Sequence, residues 1–334
     1  MKVLLYFEGR NWLTKSGLSR AHDNQKRALE MANIEVTTDI RQKDYDILLI
    51  NTYGTGTQKL ITRARKANKK VVIFVHSTEE DFRETFTGSN LAAPLYKKYL
   101  IKLYAQADLL IAPTQHAKEI LHGYGLRVPI TILSNGVNLP QYQPNSLKEE
   151  AFRQIFSIKR NEKVIISVGF YFDRKGVHDF IEIAKQMPQY RFIWIGKQAN
   201  IYTPKHIKKM VKNSPSNVEF PGYIKGDILE GAFSGADCFF FPSYEETEGI
   251  VVLEALASRQ KILVRDIPAY HKWLTDEKNC LKGKNNADFQ KKIEYLVNHP
   301  CKEMKEAAYQ VARERSIPAI SESFAAVFKN LLRG

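Results

Sequence analysis

Cys238-Phe239-Phe240-Phe241-Pro242-Ser243-Tyr244-Glu245-Glu246-Thr247-Glu248-Gly249-Ile250-Val251-Val252-Leu253-Glu254-Ala255-Leu256-Ala257 reads as a strand, a loop and a helix in direct succession. Residues 238–241 are a short apolar run of strand type, and the apolar run after Gly249 opens a helix. Glu246 and Glu254 stand eight residues apart, one in the loop and the other a turn into the helix. Backbone N–H groups at Gly249 and Ile250 begin that helix, and a helix start favours anions. The stretch therefore combines two carboxylates, able to accept from ligand hydroxyls, with amides able to hold a phosphate. Acidic residues that merely complement a helix start would explain Glu245, Glu246 and Glu248. They would not explain Glu254, which lies among Val251, Val252, Leu253, Ala255 and Leu256.

The same alternation of strand and helix runs through the whole chain, as expected of α/β layers around parallel sheets. Strands are expected at 3–7, 34–38, 47–52, 71–76, 109–112 and 130–133, with helices between them at 19–32 and 59–68. The rhythm pauses at Ser134-Asn135-Gly136-Val137-Asn138, before Pro140 and Pro144, and this marks a domain boundary. It resumes with strands at 164–168, 191–195, 218–220, 238–241 and 261–264, helices at 177–186 and 250–258, and a last amphipathic helix at 317–332. With 334 residues, 44% apolar and 26% charged, the chain has material for two cores of about 150 residues each. Two such halves would leave a cleft at the carboxyl ends of their strands, where open parallel sheets bind ligands.

The stretch around Glu246 and Glu254 resembles the E-x7-E signature of retaining glycosyltransferases of family 4. The resemblance extends over essentially the whole chain. It is nearest to bacterial glycolipid synthases that add a second hexose to a glycosyl-diacylglycerol, on the strength of residues 4–8, 15–20, 76–82 and 245–254. It implies a GT-B fold, two Rossmann-like parallel-sheet domains facing across a cleft. Residues 1–138 would bind the acceptor, with 317–334 packing back on them, and 139–316 would bind the nucleotide sugar. Glu246 would contact hydroxyls of the donor sugar and Glu254 the ribose. Family members usually carry an aromatic residue where this chain has Glu248. The implied reaction moves glucose or galactose from a UDP-sugar to monoglycosyl-diacylglycerol. It needs no metal or other cofactor and gives a diglycosyl-diacylglycerol of the lipoteichoic acid anchor type.

Further motifs fall in the order this resemblance requires. Ser167-Val168-Gly169-Phe170-Tyr171-Phe172-Asp173-Arg174-Lys175-Gly176 is a strand-to-helix loop with glycine on both sides and two cations near the helix start. Such a loop can offset the charge of a departing diphosphate. Lys175 would bind it, and Arg174 would supply the charge that the family usually places where Phe170 stands. His76 closes the strand 71–75, where a side chain reaches the cleft, and the family places a histidine there against the donor sugar. Glu79, Glu80, Asp81 and Arg83 would line the acceptor side. Gly17, in Lys15-Ser16-Gly17, would let backbone approach a phosphate, and Gly222-Tyr223 would meet the base.

Other patterns lead nowhere. Asp44-Tyr45-Asp46 spells a metal-binding D-x-D but precedes its strand, at the wrong end of the sheet. Gly54-Thr55-Gly56 has Lys59 where a dinucleotide fingerprint needs its third glycine, and no G-K-[ST] loop exists. Cys238, Cys280 and Cys301 form no C-x-x-C pair, so buried thiols are expected rather than zinc ligands.

The net charge of +14 predicts an anionic partner. Lys59, Arg63, Arg65, Lys66, Lys69 and Lys70 form one basic run. In 94–105, Leu95, Tyr96, Tyr99, Leu100, Leu103 and Tyr104 oppose Lys97, Lys98 and Lys102 at helical spacing. This suits an interfacial helix on an anionic membrane, although an ordinary surface helix has the same pattern. No RNA-binding motif is present, so nucleic acid is not an expected partner. Met1-Lys2 leads straight into a strand without a cleavage pattern, and the longest apolar runs are too short to span a bilayer. The expected location is therefore cytoplasmic, peripheral on the inner face of the cell membrane. A soluble glycan or protein acceptor, or a non-catalytic binding protein of the same fold, are the competing readings.

Overall fold

The computed structural model describes residues 1–9, 17–197 and 203–333. Lys15 and Ser16 lie outside the described residues. The chain forms two compact units: Met1–Glu80 with Ala92–Val137 and Arg315–Gly334, and Asp81–Leu91 with Asn138–Glu314.

The first unit holds a six-stranded parallel sheet. Its strands are β1 (Lys2–Tyr6), β2 (Glu35–Thr37), β3 (Ile47–Ile50), β4 (Lys70–Phe74), β5 (Leu109–Ala112) and β6 (Ile130–Ile132), in the order β2-β1-β3-β4-β5-β6. Both faces are covered, and the two-residue period of the strands sorts the side chains between them. Leu4, Tyr6, Val71 and Ile73 enter one core with Leu100, Leu103 and Tyr104. Val3, Leu5, Val72 and Phe74 enter the other with Ile317, Ile320, Phe324 and Phe328 of the helix Ile317–Arg333. That helix packs beside the helix Gly17–Met31.

Asp46 illustrates why the D-x-D pattern carries no chemistry here. Its carboxylate accepts from the Lys2 backbone N–H at 2.8 Å, at the amino end of β1.

The second unit holds β7 (Val164–Val168), β8 (Arg191–Ile195), β9 (Val218–Gly222), β10 (Cys238–Phe241), β11 (Ile262–Arg265) and β12 (Leu281–Gly283). All pairs are again parallel, in the order β12-β11-β10-β7-β8-β9. Phe180, Phe192, Trp194, Phe240 and Phe289 form the centre of its core. Strand order reverses between β7 and β10, and loops leaving such a switch point at the carboxyl ends are where ligands bind.

Candidate active site

The two loops at that switch point are the ones the sequence singled out. After β7 come Gly169 to Lys175, ending in a short 3-10 turn at Asp173–Lys175. After β10 come Pro242 to Gly249, ahead of the helix Ile250–Ala257. They meet at Gly176, which has φ +75°, and a β-carbon there would lie 2.5 Å from the Pro242 carbonyl oxygen. An alanine would meet both the left-handed backbone penalty and this clash. Gly176→Ala is expected to cost about 2–4 kcal/mol of stability, read as a lower denaturant midpoint. An unchanged midpoint would mean that the two loops do not touch.

Across this junction lies a quartet of charges, Arg174 and Glu246 buried and Lys175 and Asp81 half-buried. Lys175 Nζ donates to Glu246 Oε1, as does Ser243 Oγ at 2.7 Å. Arg174 Nη1 donates to the Glu245 carbonyl at 2.6 Å and pairs with Asp81 at 3.0 Å. It also stands 3.8 Å from Glu246. Burial pushes the Glu246 carboxyl up, but Lys175 and Arg174 together outweigh it and hold the group below its ordinary range. For Lys175 burial dominates, with Arg174 adding to it, and the ammonium titrates below its ordinary value despite Glu246 and Asp81. Asp81 is raised by its own burial, against the pull of Arg174 and Lys175.

Gly249 caps the helix Ile250–Ala257 with φ +85°, and Glu254 is buried within that helix. Gly222 ends β9 with φ +83°, followed by half-buried Tyr223.

One expectation needs correction. Arg174 does not present a free charge to a diphosphate, because its guanidinium is buried against Asp81 and the Glu245 carbonyl. The residues expected to line the acceptor side fall on either side of a unit boundary. Glu79 and Glu80 belong to the first unit, whereas Asp81 and exposed Arg83 belong to the second. The reason is local: Asp81 is the counter-charge of Arg174, so segment 81–91 packs with the loops after β7 and β10.

In the first unit, His76 is buried two residues beyond β4. Its Nε2 donates to Asn51 Oδ1 at 2.7 Å, and its ring stacks on Phe74 at 4.8 Å between centroids. Burial, with His22 nearby, pushes its pKa down to about 3. Glu79 pairs with Lys97 at 3.1 Å, and Glu80 accepts from Tyr124 at 2.7 Å. Gly17 begins the helix Gly17–Met31.

The basic helix spans Ser89–Tyr104, with Pro94 inside it. Lys97, its side chain 35% exposed, pairs with Glu79 and covers the Tyr124 ring, and Leu103 is buried in the core. Lys98 and Lys102 are exposed beside Leu95, 70% exposed, and Tyr99, 41% exposed.

Sequence reasoning missed Arg265 and Asp179, a buried pair whose Nη2 and Oδ2 lie 2.7 Å apart. The signal was present: Arg265 closes an apolar strand at its carboxyl end. It also missed Ser243 as the hydroxyl that holds Glu246.

Residues 20–141 match the family described as Glycosyltransferase Family 4, and residues 148–315 match Glycosyl transferases group 1. The chain is 43% identical over 336 aligned residues to the processive diacylglycerol alpha-glucosyltransferase of Acholeplasma laidlawii, covering 100% of this chain and 99% of that one. It therefore belongs to glycosyltransferase family 4 and is a glycosyltransferase. A second relative, the alpha-galactosylglucosyldiacylglycerol synthase of Streptococcus pneumoniae, is 26% identical over 77% of this chain and 70% of its own length. Among solved structures, Anabaena HepE in complex with UDP and glucose superimposes with a TM-score of 0.78 at 17% identity. The match covers 99% of this chain and 100% of HepE, and the fold is GT-B.

Proposed function

We propose that this enzyme transfers a hexosyl group, glucose or galactose, from a UDP-sugar to a diacylglycerol glycolipid, giving a diglycosyl-diacylglycerol. The observation that carries the reading is the 43% identity, over both whole lengths, to a diacylglycerol glucosyltransferase. The Lys175–Glu246 pair at the switch point supplies the chemistry. In this reading the second unit binds the nucleotide sugar and the first binds the acceptor. A diphosphate takes Lys175 from Glu246, which frees the Glu246 carboxylate for the sugar hydroxyls. Glu254 serves the ribose, and the Gly249 and Ile250 amides share the phosphate charge with Lys175, so no divalent ion is needed. Arg174 holds the loop through the Glu245 carbonyl instead of touching the donor. The anomeric configuration is retained.

No described helix is long and apolar enough to cross a membrane. The acceptor's lipid tails stay in a bilayer, so the enzyme must rest on its surface. Leu95, Tyr99, Lys98 and Lys102 supply an exposed face for that contact, the lysines contributing about 1 kcal/mol each near an anionic leaflet. The test is incubation with UDP-glucose or UDP-galactose over anionic vesicles, with and without monoglycosyl-diacylglycerol, followed by product mass and linkage. Transfer is expected to need the glycolipid, to survive EDTA and to give an α-linked product. Lys98→Glu with Lys102→Glu is expected to lower transfer on vesicles and to spare donor hydrolysis. A product formed only on soluble glycans would overturn the acceptor assignment. Activity lost in EDTA and restored by Mn²⁺ would overturn the metal-free chemistry.

A further inference from the structure

We infer that Arg265 is a positioning residue for glycosyl transfer, clamping the Pro242 carbonyl so that Glu246 and Lys175 stay in register. The inference rests on the reading of those two residues as donor-binding. Pro242 begins the loop that carries Glu246, and its carbonyl oxygen is the point where that loop meets Gly176, the residue after Lys175. Arg265 Nε donates to this oxygen at 3.0 Å. From the same guanidinium, Nη2 donates to Asp179 Oδ2 at 2.7 Å, on the first turn of the helix Val177–Gln186. Its plane also covers the Tyr244 ring at 3.8 Å. Tyr244 stacks on His178 at 5.6 Å, and its backbone N–H donates to the Arg174 carbonyl at 2.8 Å. One side chain thus bonds the start of the Glu246 loop and the helix that follows the Lys175 loop, and packs on a residue between Pro242 and Glu246.

Stability alone does not account for such a pair. A buried ion pair replaced by apolar side chains of similar volume is often neutral or stabilising. The geometry asks for a planar fork that reaches a carbonyl and a carboxylate together, which arginine provides and lysine does not. Catalytic groups misplaced by about 1 Å lose on the order of a hundredfold in rate. A clamp on the loop carbonyl therefore matters more to turnover than to folding.

The test compares the wild type with Arg265→Lys, which keeps the charge for Asp179 and gives up the fork. Turnover is expected to fall by about tenfold to a hundredfold, with UDP affinity within about twofold. Amide exchange across 243–249 is expected to speed up while β7 and β8 stay protected. Methylguanidinium is expected to restore part of the turnover of Arg265→Ala. If Arg265→Lys does not fold, Arg265→Met combined with Asp179→Leu leaves no orphaned charge and carries the same readouts. A folded variant with full turnover and unchanged exchange would overturn the inference. So would loss of turnover, UDP affinity and protection everywhere in step, which would mark the pair as structural only. Should the wild type prove inactive with UDP-sugars, the proposed function fails, while the exchange comparison still reads the clamp.

Discussion

Glu246→Gln is expected to lower turnover by at least about a thousandfold, roughly 4 kcal/mol in the barrier. Glutamine matches the shape of the carboxylate, so Ser243 can still donate to its oxygen. What is lost is charge. Lys175 would then sit half-buried beside Arg174 with Asp81 as the remaining acid of the quartet. Burial and Arg174 already lower the Lys175 pKa, and removing the Glu246 charge lowers it further. In the proposed reading, one substitution therefore removes the negative charge that receives the sugar hydroxyls and weakens the cation for the diphosphate. Glu246→Ala adds a cavity and is expected to unfold more readily, which makes glutamine the better probe. Glu254→Gln, by contrast, is expected to act mainly on UDP affinity. Kinetics with both donors, beside UDP titrations of each folded variant, check the pair. Near wild-type turnover in Glu246→Gln would remove the central role given to this residue.

The second large effect is on stability in acid. An unfolded histidine titrates near 6.5, whereas buried His76 does so at about 3. Between these values the unfolded chain binds a proton that the folded chain refuses, so stability falls as pH drops through this window. The slope is about 1.4 kcal/mol per pH unit, and the whole window is worth on the order of 5 kcal/mol. His76→Gln can keep a donor toward Asn51 without titrating. Its denaturation midpoint is expected to change much less between pH 7 and pH 4.5 than that of the wild type. Equal acid sensitivity in both proteins would assign the effect to other groups. The same shift bears on the chemistry. Near neutral pH the ring is uncharged and its Nε2 proton is held by Asn51, so any part His76 takes in the proposed reaction is that of a neutral polar group and not of a cation.

Much of this was legible in the sequence because the strands of both sheets are short apolar runs separated by helical periods. Runs such as 164–168 and 238–241 correspond to β7 and β10. The three-residue β12, Leu-Lys-Gly, has one apolar residue and no period to read. It exists because β11 offers it an edge. The amphipathic segment was read over 94–105, yet the helix begins at Ser89 and carries Pro94 inside. The apolar half of that helix was readable, but not whether it faced a membrane or a core. Leu100, Leu103 and Tyr104 chose the core. At the site, Lys175 and Glu246 were each visible in their own loop. Their direct pairing, across 71 positions of sequence, appears only once β7 and β10 lie side by side.

The helix Ile317–Arg333 has a consequence for biogenesis. Phe324 and Phe328 belong to the same core as Val3 and Leu5. A nascent chain that has already made all six strands of its first sheet still lacks one wall of that layer. Residues 138–314, by contrast, contain every strand of their own sheet and can condense during synthesis, as domains commonly do. The unit translated first is thus completed last, and its apolar sheet face awaits the arrival of 317–328. Until then that face is covered only in part, by the helix Gly17–Met31.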